Sequence, residues 1–195
     1  MKLLLVSDQA SPYIWDHFDP ESFRDVSMIL SCGDLSGEYL GFLVTMIPAP
    51  LFYVPGNHDK AFVLRPPEGC VSLDGRTETH LGLRLAGLGG CRSAKPEPFH
   101  YTESAMERRV KTLSRLVRRQ GGLDVLLTHV SARNLGDGAD SFHQGFDCFV
   151  PFLNEFAPRY HIFGHQHTAY TRACPPPNHG PTTLINACGY RIIEY

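Results

Sequence analysis

Five short apolar runs recur along the chain, at residues 3–6, 28–31, 51–54, 125–128 and 161–163, each ending in polar or glycine-rich residues. Apolar runs without alternation suit strands covered on both faces. Residues 78–88 differ, because Leu81, Leu83 and Leu85 alternate with other residues and predict a strand or hairpin. Residues 182–187 and 190–195 read as a closing strand pair around Cys188-Gly189. Helical spacing is rarer. Met106, Val110, Leu113 and Val117 share one face of a helix over 103–119, with Thr102 as N-cap and Gly121-Gly122 as the stop. A second helix is predicted over 146–156, with Pro151 near its start. Residues 175–181, rich in proline, read as a rigid exposed loop. Strands and helices in alternation give an α/β fold, and ligands in such sheets gather outside the carboxyl ends of the strands.

Composition narrows the class. A length of 195 residues suits a single domain spanning 1–195, large enough for a sizeable core. With 43% hydrophobic and 19% charged residues and a net charge of −2, no global field advertises nucleic acid or an anionic membrane. Six cysteines lie scattered without a CxxC pair, which points to reduced thiols and a cytoplasmic location. The apolar run after Lys2 meets Asp8 too early for a signal peptide, and no stretch has the length of a membrane span. The helix over 103–119 carries Arg108, Arg109, Lys111, Arg115, Arg118 and Arg119, a face that could follow a nucleic-acid backbone. Glu103 and Glu107 share that helix and aromatic residues are not interleaved, so a solvated face is favoured over nucleic-acid binding.

The chemistry sits at the ends of the five runs. Asp8, Gly33-Asp34, Gly56-Asn57-His58-Asp59, Thr128-His129 and Gly164-His165-Gln166-His167 follow them in order. Asp8 and Asp34 offer carboxylates to hard cations, and Asp34 has two oxygens with which to bridge a pair. Asn57 offers an amide oxygen that burial would leave wanting a partner. His58 could protonate a leaving oxygen, and Asp59 could fix that imidazole in one orientation. His129, His165 and His167 add imidazoles. Carboxylates, an amide and imidazoles gathered from five strand ends suffice for two divalent metals side by side, which suits hydrolysis of a phosphate ester. Two loops offer substrate contacts. Arg92, in residues 91–101, and Arg133, in residues 130–145, could grip a phosphate through a bidentate contact, and His143 could reach the reacting group.

The series resembles the calcineurin-like metallophosphoesterase superfamily, whose motifs run D-x-H, G-D, G-N-H-D/E, H and G-H-x-H. The last four are intact here, and the resemblance spans residues 8–167. It implies a two-sheet β-sandwich flanked by helices in four layers, of the compact type without a large cap. It further implies a dinuclear site in which Asp34 bridges, Asn57, His129 and His165 hold the second metal, and Asp8 and His167 hold the first. Attack by a metal-bridging hydroxide on a small phosphate ester is the implied reaction, with diesters preferred slightly over monoesters and His58 near the phosphate. The first motif departs from the pattern, since Ala10 stands where a histidine would ligate. Asp8, Asp34 and His167 can still hold an ion with open positions, but a labile one. An oxygen-rich donor set favours Mn²⁺, with Fe, Zn, Mg and Ni also compatible. The alternatives are a catalytically weakened module that uses the fold to bind a partner, and a nuclease.

Overall fold

The computed structural model describes residues 1–138, 140, 143–167 and 178–195. In chain order its elements are β1 (Lys2–Ser7), the single-turn helices α1 (Pro12–Trp15) and α2 (Pro20–Phe23), β2 (Val26–Ser31), α3 (Gly37–Met46), β3 (Leu51–Tyr53), a 3-10 turn (Lys60–Val63), β4 (Cys70–Ser72), β5 (Thr77–His80), β6 (Leu83–Leu88), β7 (Cys91–Arg92), β8 (His100–Tyr101), α4 (Glu103–Arg119), β9 (Val125–Thr128), α5 (Phe149–Phe156), β10 (Tyr160–Phe163), β11 (Asn178–His179), β12 (Thr182–Asn186) and β13 (Gly189–Glu194).

The strands build two main sheets. One has the order β13-β1-β2-β3-β4 and the other β11-β12-β10-β9-β6-β5, while β7 and β8 form a separate small pair. Within the first, β1 to β4 run parallel and only β13 is antiparallel. Within the second, β12, β10, β9 and β6 run parallel, with β11 and β5 antiparallel at the edges.

Strand parity explains why the runs are apolar without interruption. Leu3 and Leu5 of β1 pack with Met28 and Leu30 of β2 and with Leu85, Val125, Leu127 and Ile162 of the other sheet, forming the core between the sheets. Leu4, Val6 and Ile29 turn the other way and meet Tyr39, Leu40 and Leu43 of α3, together with Ile14 and Phe23. Ala86, Leu88 and Leu126 turn outward from the second sheet onto Met106, Val110, Leu113 and Val117 of α4 and onto Phe149, Phe152 and Leu153 of α5. Both faces of each sheet are therefore covered, giving helix, sheet, sheet and helix layers as the apolar runs require.

Local capping agrees with the sequence at α4, where Thr102 Oγ1 accepts from the Ala105 N–H at 3.3 Å. The second predicted helix begins three residues late, at Phe149. The two residues before it are held from a distance: the Glu103 carboxylate accepts from the backbone N–H groups of Asp147 (3.2 Å) and Cys148 (2.8 Å). The expected closing pair is corrected. Residues 182–186 and 189–194 do not pair with each other, because β12 joins β10 in one sheet while β13 joins β1 in the other. The turn at Cys188-Gly189 carries the chain between sheets instead. Of the loop expected over 175–181, Asn178–His179 forms the edge strand β11, and residues 175–177 lie outside the described residues. Cys32, Cys70, Cys91 and Cys148 are free thiols, and Cys174 lies outside the described residues. Among the described residues no helix is long and apolar enough to cross a membrane.

Candidate metal centre

All five motif segments follow parallel strands, so they leave the two sheets at the same end. β1, β2 and β3 deliver Asp8, Asp34 and Asn57 from one sheet, and β9 and β10 deliver His129 and His165 from the other. The backbone is forced to aim them. Asp8 (φ 63°), Asp34 (φ 55°) and His165 (φ 64°) all adopt the left-handed region. For residues other than glycine that conformation costs roughly 1–3 kcal/mol each and persists where surrounding structure demands it. The glycines of the motifs make room. A Cβ on Gly56 would overlap the Asp34 carboxylate and the His129 ring, and one on Gly164 would overlap Ser7 and Asp8.

One half of the centre is dense. Ligand atoms of Asp34, His129 and His165 lie within 4.8 Å of one another. His129 is buried, and its Nδ1–H donates to the Cys32 carbonyl at 2.7 Å. That bond fixes the ring so that Nε2 faces Asn57 Oδ1 (3.0 Å) and Asp34 Oδ2 (3.4 Å). The His58 backbone N–H donates to Asp34 Oδ1 at 2.8 Å, leaving Oδ2 for the cluster. Burial alone would depress His129, but the adjoining Asp34 outweighs it and raises the imidazole to about 9. Burial likewise pushes Asp34 up, yet His129 and the His58 N–H pull it down to about 2. The buried oxygens thus call for positive charge between them. A carboxylate, an amide oxygen and imidazoles converging on one point form a donor set that fits a divalent ion.

The other half is leaner. Both oxygens of the Asp8 carboxylate accept from the His165 backbone N–H, at 3.0 and 2.9 Å. His167 Nε2 stands 3.8 Å from Asp8 Oδ1, and its ring is about a third exposed. The Gln9 side-chain amide meets His167 Nδ1 at 3.3 Å. Ala10 contributes no donor.

Around this frame the expected substrate contacts fall differently. His58 is exposed at the mouth. Asp59 has another task than holding that imidazole: its Oδ2 accepts from the N–H groups of Asp34 (2.8 Å) and Gly56 (2.7 Å), locking two motif loops together. Burial raises its carboxyl to about 6. His143 comes alongside His165, ring centroids 5.2 Å apart, with Nδ1 held by Asp140 at 2.8 Å. Arg92 is engaged by Asp147 (2.8 Å) and Glu103 (3.5 Å), and Arg133 by Asp137 (3.1 Å). Both guanidiniums brace loops. Sequence reading missed the Cys32 carbonyl, because a backbone acceptor leaves no residue signature. It also missed Asn186, whose amide donates to the Gln166 carbonyl at 2.7 Å while Gln166 donates to the His143 carbonyl at 2.7 Å.

Fold and site together define a metallophosphoesterase. The chain belongs to the calcineurin-like phosphoesterase family, which residues 8–169 match. It is in general terms a metal-dependent hydrolase of phosphate esters. Among solved structures it is similar to phosphopantetheinyl hydrolase from Mycobacterium tuberculosis, at 14% identity and a TM-score of 0.65, covering 96% of this chain and 88% of that one. It is also similar to TT1561 of Thermus thermophilus, at 15% identity and a TM-score of 0.59, covering 96% and 89%. At such identities these likenesses show the fold alone. No curated protein sequence matches the chain.

Proposed function

We propose that the chain is one domain over residues 1–195 that hydrolyses small phosphate esters with two divalent cations, taking diesters in preference to monoesters. The convergence of His129 Nε2, Asn57 Oδ1 and Asp34 Oδ2, with His165 beside them, is the observation that carries this reading. Asp34, Asn57, His129 and His165 would hold one cation, and Asp8, Asp34 and His167 the other. Divalent ions there would activate water and neutralise charge on the phosphate.

The chain's own contribution is positional. The Cys32 carbonyl holds the His129 ring, and Asp59 ties the Asp34 loop to the Gly56 loop, so donors are fixed before substrate arrives. His58, exposed at the mouth, is the group to give a proton to the leaving oxygen. His143, oriented by Asp140 against His165, is the group to contact the phosphate. Arg92 and Arg133, part-exposed and paired with Asp147 and Asp137, are the further groups to contact the phosphate. Manganese suits the leaner half, where two carboxylates and one imidazole form the donor set. Free thiols among the described cysteines support a cytoplasmic location. Nucleic acid is not favoured as substrate, since Arg109 and Arg118 of α4 are engaged by Asp74 and Glu155.

The test is hydrolysis of bis-p-nitrophenyl phosphate as Mn²⁺ is titrated in, with the wild type beside Asn57→Ala. Hydrolysis that rises with metal and is lost in the variant is expected, with p-nitrophenyl phosphate turned over more slowly. No hydrolysis at any metal level would overturn the reading and favour the binding-module alternative.

A further inference from the structure

Asn57 Oδ1 and His129 Nε2 face each other across 3.0 Å, yet the two residues leave different sheets, Asn57 after β3 and His129 after β9. Hydrogen bonds within one sheet do not set that meeting. One short segment touches both ligand loops. The Leu88 carbonyl, at the end of β6, accepts from the His129 N–H at 3.3 Å, and two residues on the Gly90 N–H donates to the Pro55 carbonyl at 2.8 Å. Pro55 stands two residues before Asn57. The segment is wedged in place, which is why it is a pair of glycines. A Cβ on Gly89 would overlap the Pro55 carbonyl and ring, and one on Gly90, at φ 89°, would overlap the Phe99 carbonyl and the Tyr101 ring. An ion pair closes its outer side. Asp74 Oδ1 accepts from the Gly89 N–H at 2.7 Å and from Arg109 Nη2 at 2.6 Å, while Arg109 Nη1 donates to the Gly89 carbonyl at 3.4 Å. The guanidinium also lies over the Tyr101 ring, 4.4 Å from its centroid.

We propose that Arg109, acting through Asp74 and the Gly89–Gly90 turn, is a positioning residue that sets the separation of Asn57 and His129, and with it the affinity for the cation they would share. The proposal rests on the phosphoesterase reading. Arg108, Lys111, Arg115 and Arg119 of α4 are exposed, whereas Arg109 reaches inward to the strand end. Side-chain exposures of 21% for Arg109 and 19% for Asp74 withdraw the pair from bulk water. The desolvation of such a pair offsets much of its attraction, so its contribution to overall stability is small. Its charge-assisted hydrogen bonds are directional, and they end on the N–H and carbonyl of one glycine. That glycine lies between the Leu88 carbonyl that holds His129 and the Gly90 N–H that holds the Asn57 loop.

The experiment titrates Mn²⁺ into the wild type, Arg109→Met, Arg109→Lys and Arg115→Met, following the free ion by electron paramagnetic resonance. Amide hydrogen exchange of Gly90 is read in the metal-free proteins. Methionine keeps most of the stem and removes the donors. Arg109→Met should weaken the tighter equivalent by about tenfold, the lower end of the range for a lost outer-shell partner, and leave the weaker equivalent unchanged. Gly90 exchange should quicken in the same variant. Lysine, which keeps a cation for Asp74, should restore most of both effects. Arg115→Met, at an exposed position of the same helix, should produce neither. A merely structural role would lower the urea midpoint of Arg109→Met without separating the two equivalents. Unchanged affinities, or equal weakening of both equivalents, therefore overturn the proposal and leave the phosphoesterase reading intact. If Arg109→Met does not fold, Asp74→Asn carries the test, since it keeps an acceptor for the Gly89 N–H and removes the charge that holds Arg109. It should weaken the tighter equivalent alone, and an unchanged affinity overturns the proposal. If the wild type binds no Mn²⁺, the phosphoesterase reading fails on its own. Gly90 exchange then decides the positioning role, and exchange that is the same in Arg109→Met and the wild type overturns it.

Discussion

The two halves of the metal centre are built to different standards. Around His129 the frame is braced: its Nδ1 by the Cys32 carbonyl, Asp34 by the His58 N–H, and the loops by Asp59. Around His167 the side chain is about a third exposed, the Gln9 amide is a neighbour, and Ala10 stands where the family pattern adds a histidine ligand. Preorganised donors give up little entropy on binding, and a part-exposed imidazole gives up more than a fully buried one. The difference teaches that, in the proposed dinuclear reading, one cation would meet a preorganised donor set and the other a leaner one.

Removing one imidazole from each half should separate the two most visibly. His129→Ala should lower kcat/KM by roughly a thousandfold at saturating Mn²⁺, beyond the 10–100-fold typical when an outer-shell partner is lost. His167→Ala should cost less, and raising Mn²⁺ should restore part of the loss. Equal, unrescued losses in both variants would erase the distinction. A smaller effect sharpens it. Gln9→Ala should weaken only the lower-affinity ion, by about tenfold, because Gln9 orients His167 without ligating. Calorimetric titration with Mn²⁺ reads this directly, and a change confined to the tighter ion would contradict it.

An effect on stability rather than activity concerns support behind the dense half. Thr128 Oγ1 donates to the Val130 carbonyl at 2.6 Å and so must accept from His161 Nε2–H at 2.8 Å, just before His129. Burial lowers His161 from 6.5 to about 3. Its unfolded form binds the extra proton in that window, so its contribution is whole above pH 6.5. Stability is lost as pH falls from there toward 3, by about 1.4 kcal/mol per pH unit. His161→Gln should flatten the fall of the urea midpoint between about pH 6 and pH 5. An unchanged slope would show that His161 is not buried neutral.

Much of this was legible in the chain. The apolar runs announced five strands, because covering a sheet on both faces leaves a strong local signal, and the residues after them announced which side chains would gather at the strand ends. Helix α3 was not legible: its core contacts come from Tyr39, Leu40 and Leu43, in a segment with apolar residues all round and no clear period. The parting of β12 from β13 was hidden because strand partnership is a tertiary choice between two sheets. The ion pairs of Arg92 and Arg133 were hidden since their carboxylate partners lie elsewhere in the fold or across a turn. Asp59 was placed in the right motif with a different partner, because the groups it holds are backbone amides that any residue carries.

In the proposed reading a tight and a loose cation share Asp34. Electron paramagnetic resonance of free Mn²⁺ during titration of the apoprotein tests it most directly. Two equivalents should bind with affinities at least about tenfold apart, and the tighter one should vanish in His129→Ala. Two equal affinities, or a first equivalent that survives His129→Ala, would contradict the account.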